Sequence, residues 1–202
     1  RSLGARVVGG GQTNNPSVED IVDAVRSVGA EHVVVMPNNK NIVLAAERVP
    51  ELVTDRTVHV LPTKTMGQGL AAAVAFSDTA DVEVLLADMQ ESAQASRTVE
   101  VTVANRTATV DDIQVTEGDA IGLVDGTLVA TADSPVETLK RAAATLDGDP
   151  EVATLFYASS VGEDDMSAAV AALEEAFEDL ELESHTGAPD LYPFVVVLEG
   201  FE

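Results

Sequence analysis

The chain has 202 residues, 46 % of them hydrophobic and 23 % charged, enough to bury one large core or two smaller ones. A formal net charge of −24 argues against nucleic acid and anionic lipid as partners. The lack of cysteine removes disulfides and thiolate metal sites, and no apolar run reaches the roughly 18 residues of a membrane span.

Aromatics are 3 % and tryptophan is absent, so the core must be built from Val, Leu, Ile and Ala. The acidic balance fits solubility, a salt-adapted or high-GC source, or an acidic face that meets a basic partner. Arg1 begins the chain without an apolar leader. It therefore reads as a piece of a longer protein, with the cytoplasm as its expected location.

The first half alternates in a regular way. "ARVVGG", residues 5–10, reads as a short buried strand. Ser17 opens a helix with Asp20 at capping-box spacing, Ile21, Val22, Val25 and Val28 form its apolar face, and Gly29 ends it. "HVVVMP" is a second buried strand, followed by a helix over 41–48 that Pro50 closes. "TVHVLP" is a third strand and "GQGLAAAVAF" a third helix. Strand, loop and helix alternating three times predict a parallel sheet with right-handed crossovers. The loops over 9–17, 37–41 and 62–68 then share the edge beyond the strand C-termini, where open α/β sheets bind ligands.

Residues 80–97 read as a polar helix that connects two lobes. Beyond it, "TVEVTVANRTATVDDIQV" alternates with period two around Asn105 and Arg106, a hairpin signal. "EGDAIGLVDGTLVAT" is a second hairpin turning at Asp125-Gly126. Helices over 135–146 and 163–177 and strands "EVATLFYAS" and "LYPFVVVLEG" complete a mixed sheet with two helices. The expected fold class is α/β in two lobes, 1–97 and 98–202.

The chemistry is sparse. Gly9-Gly10-Gly11 has neither the Lys-Ser/Thr ending of a phosphate loop nor dinucleotide-fingerprint spacing. It reads as a turn, or as a close-approach cradle at a helix N-terminus. The asparagines of "PNNKN" satisfy turns or bind a ligand. Only three lysines exist, Lys40, Lys64 and Lys140, and two of them fall in loops on the predicted edge. His32 and His59 read as satisfied core or edge residues, and His185 as less constrained. Acidic residues over 163–165 suit a helix start. No cluster has metal-ligand spacing and no nucleophile elbow is present. The candidate ligand- or partner-binding set is Gly10, Gly11, Gln12, Thr13, Asn15, Asn38, Asn39, Lys40, Asn41, Thr63, Lys64, Gln68 and His185, with no catalytic or metal residue among them.

The blocks "GGGQTNNPSVEDIVDAV", "EHVVVMPNNKNIVLAAE", "VHVLPTKTMGQGLAA", "EGDAIGLVDG" and "HTGAPDLYPFVVVLE", in this order over nearly the whole chain, resemble the C-terminal region of the FakA-like bacterial fatty acid kinases, relatives of dihydroxyacetone kinase. Asn14 departs from the methionine of that family's loop. The resemblance implies a DegV-like, two-lobed α/β fold. It implies that an N-terminal kinase domain elsewhere in the longer protein holds ATP and magnesium, with no cofactor in this region. It also implies that the kinase phosphorylates a fatty acid carried by a separate DegV-like binding protein, which this region docks. The rest of the kinase chain is the other implied partner, and a homodimer is left open. Two other readings stand beside it: a small-molecule phosphate or carboxylate site of a regulatory domain, and an independent enzyme.

Overall fold

A computed structural model describes residues 4–9, 15–110 and 112–201. The chain divides into two compact units, Arg1–Gln94 and Ala95–Glu202.

In the first unit, α1 (Val18–Arg26) is followed by β1 (His32–Val35), α2 (Lys40–Ala46), α3 (Val49–Leu52), β2 (Thr57–Val60), α4 (Met66–Val74) and α5 (Val82–Ala95). The capping box at α1 is complete: the Asp20 N–H donates to Ser17 Oγ at 3.1 Å, and the Ser17 N–H donates to Asp20 Oδ2 at 2.8 Å. Hydrogen bonds from the Ser17 hydroxyl and then the Ser17 N–H hold the Asp20 carboxyl below its usual range. β1 and β2 are parallel, with Val33 opposite Val58 and Val35 opposite Val60. Helices cover both faces. Ile21, Val22, Val25, Ile42, Ala46 and Val49 of α1–α3 pack with Val33, Val35, Val58 and Val60. On the other face Ala72, Leu85, Met89 and Ala93 of α4 and α5 pack with Val34, Met36 and Leu61. Val-rich strands with apolar side chains on both faces are what a parallel pair between two helix layers requires.

The second unit holds β3 (Arg97–Val103), β4 (Ala108–Val110), β5 (Ile113–Val115), β6 (Ala120–Val124), β7 (Thr127–Ala132), α6 (Pro135–Ala143), β8 (Pro150–Tyr157), α7 (Glu163–Ala176), β9 (Glu181–Thr186) and β10 (Phe194–Phe201). A six-stranded sheet runs β7-β6-β3-β10-β8-β9, antiparallel except for the parallel β8–β9 pair. Val99, Val101, Leu155, Phe194, Val196 and Leu198 form the sheet side of its core, against Leu139 of α6 and Leu173 of α7. Strand alternation turns Thr98, Glu100 and Thr102 to the opposite face.

The α/β class and most elements match expectation. The turn at Asp125-Gly126 has both residues at positive φ, 49° and 78°, as a type I′ hairpin demands. Four readings are corrected. Residues 5–9 form no strand, so the described parallel sheet has two strands rather than three. Pro50 does not close a helix over 41–48. It sits in the first turn of α3, where its missing N–H costs nothing, and α2 ends earlier at Ala46. The first helix ends at its C-cap Ser27, ahead of Gly29. No hairpin turns at Asn105-Arg106. β3 is buried from Thr98 to Thr102 and so takes long partners on both flanks, β6 and β10, while the short β4 pairs with β5 instead.

Candidate functional site

Parallel pairing brings the ends of β1 and β2 to one edge of the first unit, where the Leu61 N–H donates to the Val35 carbonyl at 3.0 Å. The loops that follow are tied together. The Asn38 N–H donates to Thr63 Oγ1 at 3.0 Å, and the Thr63 hydroxyl donates to Asn38 Oδ1 at 2.7 Å. Asn38 adopts φ 57°, in the left-handed region that asparagine tolerates better than most residues. Its amide occupies the space a Cβ on Gly69 would need, so the glycine at this turn of α4 admits the neighbouring loop.

The other polar residues of these loops are partly committed. Asn39 Oδ1 accepts from the Asn41 N–H at 2.9 Å and caps α2. Thr65 Oγ1 accepts from the Gln68 N–H at 3.2 Å and caps α4. Gln68 Oε1 accepts from the Lys64 N–H at 2.7 Å. Thr63 is buried, while Lys40, Asn41 and Lys64 are exposed. Two predicted loops therefore meet, with their asparagine, threonine and glutamine oxygens shaping the edge and their lysines facing water.

The remaining candidates fall elsewhere. Gly10, Gly11, Gln12 and Thr13 lie outside the described residues. Asn15 is on the exposed lead-in to α1. His185 belongs to the second unit, on β9, with Nε2 3.3 Å from Glu183 Oε2 and its ring 5.9 Å from that of Phe156. Lys140 is also in the second unit, paired to Glu175 at 2.6 Å.

Sequence reading passes over one signal that needs no structure. Residues 32–46 and 57–77 contain no Asp or Glu, although the chain carries 35. These stretches are the two strand–loop–helix arms that build this edge, so the lysines stand in a carboxylate-free island. A second omission is the histidine pair. His32 and His59 stack at 5.4 Å, with Nδ1 of the first 3.1 Å from Nε2 of the second. Partial burial, and then the charge of His32, push the His59 imidazole below its usual range. A third is Glu100, whose carboxyl is pushed up by burial and, less, by the charge of Asp125. A depression of about 400 Å³ in the second unit is lined by Asp119, Asp133, Ser134, Glu137 and Arg141. Its one cation is engaged, Arg141 donating to Glu137 Oε1 and to the Thr131 carbonyl, each at 2.9 Å. Among the described residues no three His, Asp or Glu side chains gather as a metal site, and no helix is long and apolar enough to cross a membrane.

A family model for the C-terminal region of FakA-like fatty acid kinases matches residues 1–199. The chain belongs to this family. Protein YloV of Bacillus subtilis is 37 % identical over 201 residues, and an uncharacterized protein of Staphylococcus saprophyticus is 32 % identical over 201. Each match covers 98 % of this chain and 36 % of the relative, so the chain spans about a third of their length. The fold matches DegV family structures. A DegV family protein of Corynebacterium glutamicum superposes with TM-score 0.63 at 16 % identity, over 93 % of this chain and 83 % of that one. The fatty acid kinase B3 protein of Streptococcus pneumoniae, solved with linoleic acid, gives 0.61 at 15 %, over 91 % and 76 %. A Thermotoga maritima protein described as having a fatty acid binding function gives 0.62 at 15 %, over 92 % and 76 %. The family and fold expected from the sequence blocks are thus borne out.

Proposed function

We propose that this chain is the part of a fatty acid kinase that docks a DegV-like fatty-acid-binding protein, through the edge built by residues 36–41 and 61–68. The observation that carries the reading is the carboxylate-free pair of arms with exposed Lys40 and Lys64, in a chain of net charge −24. Such an island attracts an acidic patch on a partner while the rest of the surface repels it, which favours one orientation of encounter. Family membership supports the kinase context, and the solved fatty acid kinase B3 protein supplies the class of partner. In this reading ATP and magnesium belong to the part of the longer protein outside this chain. This region contributes recognition: its internal bonds fix the loops, and the lysines steer.

A small phosphate or carboxylate ligand at the same edge is the competing reading. Calorimetric titration separates the two. Micromolar or tighter binding of an oleate-loaded DegV-like carrier, with no heat from inorganic phosphate or acetate, supports docking. Saturable heat from the small anions, with none from the carrier, overturns it.

A further inference from the structure

β1 has the side chains of an interior strand and the position of an edge strand. Val33 and Val35 face the α1–α3 layer and Val34 the α4–α5 layer, yet all three remain half-exposed. β2 occupies one flank: the Thr57 N–H donates to the Glu31 carbonyl at 2.9 Å and the Leu61 N–H to Val35. Strand alternation turns the N–H and C=O of His32 and Val34 to the other flank, where β1 has no strand neighbour among the described residues. Edge strands are ordinarily blunted by lysine, proline or a bulge, and His-Val-Val-Val has no lysine or proline.

The crossover helices say what belongs there. α2 and α3 carry the chain from β1 to β2 across one face of the sheet, and α1 packs on that same face in the same apolar cluster. Crossovers between parallel strands are right-handed in about 98 % of cases. Two successive right-handed crossovers over one face advance the sheet in one direction. A strand preceding α1 must therefore lie beside β1 on the side away from β2. The segment preceding α1 includes Ala-Arg-Val-Val-Gly at 5–9, β-prone, unpaired, with Val7 63 % exposed.

We propose that residues 5–9 add to the open flank of β1 as a third parallel strand. Docking gives β1 two neighbours and withdraws its exposed valines and Val7 from water. It also removes a row of unpaired backbone groups that would otherwise template association with a second copy.

Amide exchange followed by NMR on the 202-residue chain tests this, together with Val7→Pro and Val8→Pro. Adjacent residues of a strand point their amides to opposite sides, so one of the two prolines must delete a bond to β1. The Val34 amide should exchange slowly in the parent chain, independently of protein concentration, and at least tenfold faster in one proline variant. The amides of Val33 and Val35, which face β2, should stay slow and so report an intact fold. An unprotected Val34 amide in the parent chain overturns the proposal, and so does protection that survives both prolines. Protection lost on dilution would give the flank to a second copy instead.

Discussion

The Asn38 side chain lies where a Cβ on Gly69 would be, and it is held there by Thr63. This relationship joins the loop after β1 to the first turns of α4, and it sets the shape of the edge assigned to the partner.

Gly69→Ala should therefore destabilise the protein, although alanine favours a helix by about 1 kcal/mol. The added methyl must expel an amide that is bonded to Thr63, and overpacking of this kind costs about 1–3 kcal/mol. Asn38→Gly keeps the positive φ and removes the clash, so Gly69→Ala should be far milder in that background. Denaturant unfolding of the four members of this double-mutant cycle gives the coupling. Additive effects would show that the two residues do not meet as described.

The histidine pair makes stability depend on pH. His59 is held below its ordinary value by burial and then by the charge of His32. As pH falls, the unfolded chain takes up this proton first. Stability is complete above the ordinary histidine range and is lost as pH drops through that range toward the lower folded value. Relief of repulsion among the carboxylates acts the other way, so the informative quantity is the difference between parent and His59→Gln. Between about pH 7.5 and 5.5 the parent should lose stability relative to the variant. Parallel curves would contradict the pairing.

Glu100 has the opposite sign. Burial raises its carboxyl, so the folded state holds the proton to higher pH than the unfolded state does. Its contribution is present below the ordinary carboxylate value and is lost as pH rises through the folded value. Glu100→Gln, which mimics the protonated form, should raise the denaturation midpoint at about pH 7.5, and the gain should shrink as pH approaches about 4.5. A variant less stable than the parent at the higher pH would show that the carboxylate has a favourable role.

Where periodicity and caps agree, the sequence is legible. Ser17 and Asp20 close the box their spacing promises, and Asp125-Gly126 turns the hairpin its dipeptide favours. Errors arise where pairing is decided at long range. The alternation over 98–110 cannot reveal that β3 spends both flanks on β6 and β10. At the site, loop position is legible from strand–helix alternation, but the use of the polar groups is not. Asn38 and Asn39 read as groups offered to a partner, and their Oδ1 atoms instead accept from Thr63 and the Asn41 N–H. Short polar side chains serve turns and ligands with the same chemistry, and only geometry separates the two uses. The His32–His59 contact depends on strand register, which pairs Val34 with His59 and His32 with Thr57.

Association kinetics of the oleate-loaded carrier with the parent, Lys64→Ala and Lys140→Ala chains test docking at this edge most directly. Lys64 stands on the carboxylate-free edge, and Lys140 is ion-paired to Glu175 in the second unit. Measured by surface plasmon resonance at low and at physiological salt, Lys64→Ala should associate roughly 3- to 10-fold more slowly at low salt, with a weaker salt dependence and little change in dissociation. Lys140→Ala should match the parent. If Lys64→Ala binds at the parental rate with the parental salt dependence while Lys140→Ala is slowed, the carrier does not dock on the edge formed by the β1 and β2 loops.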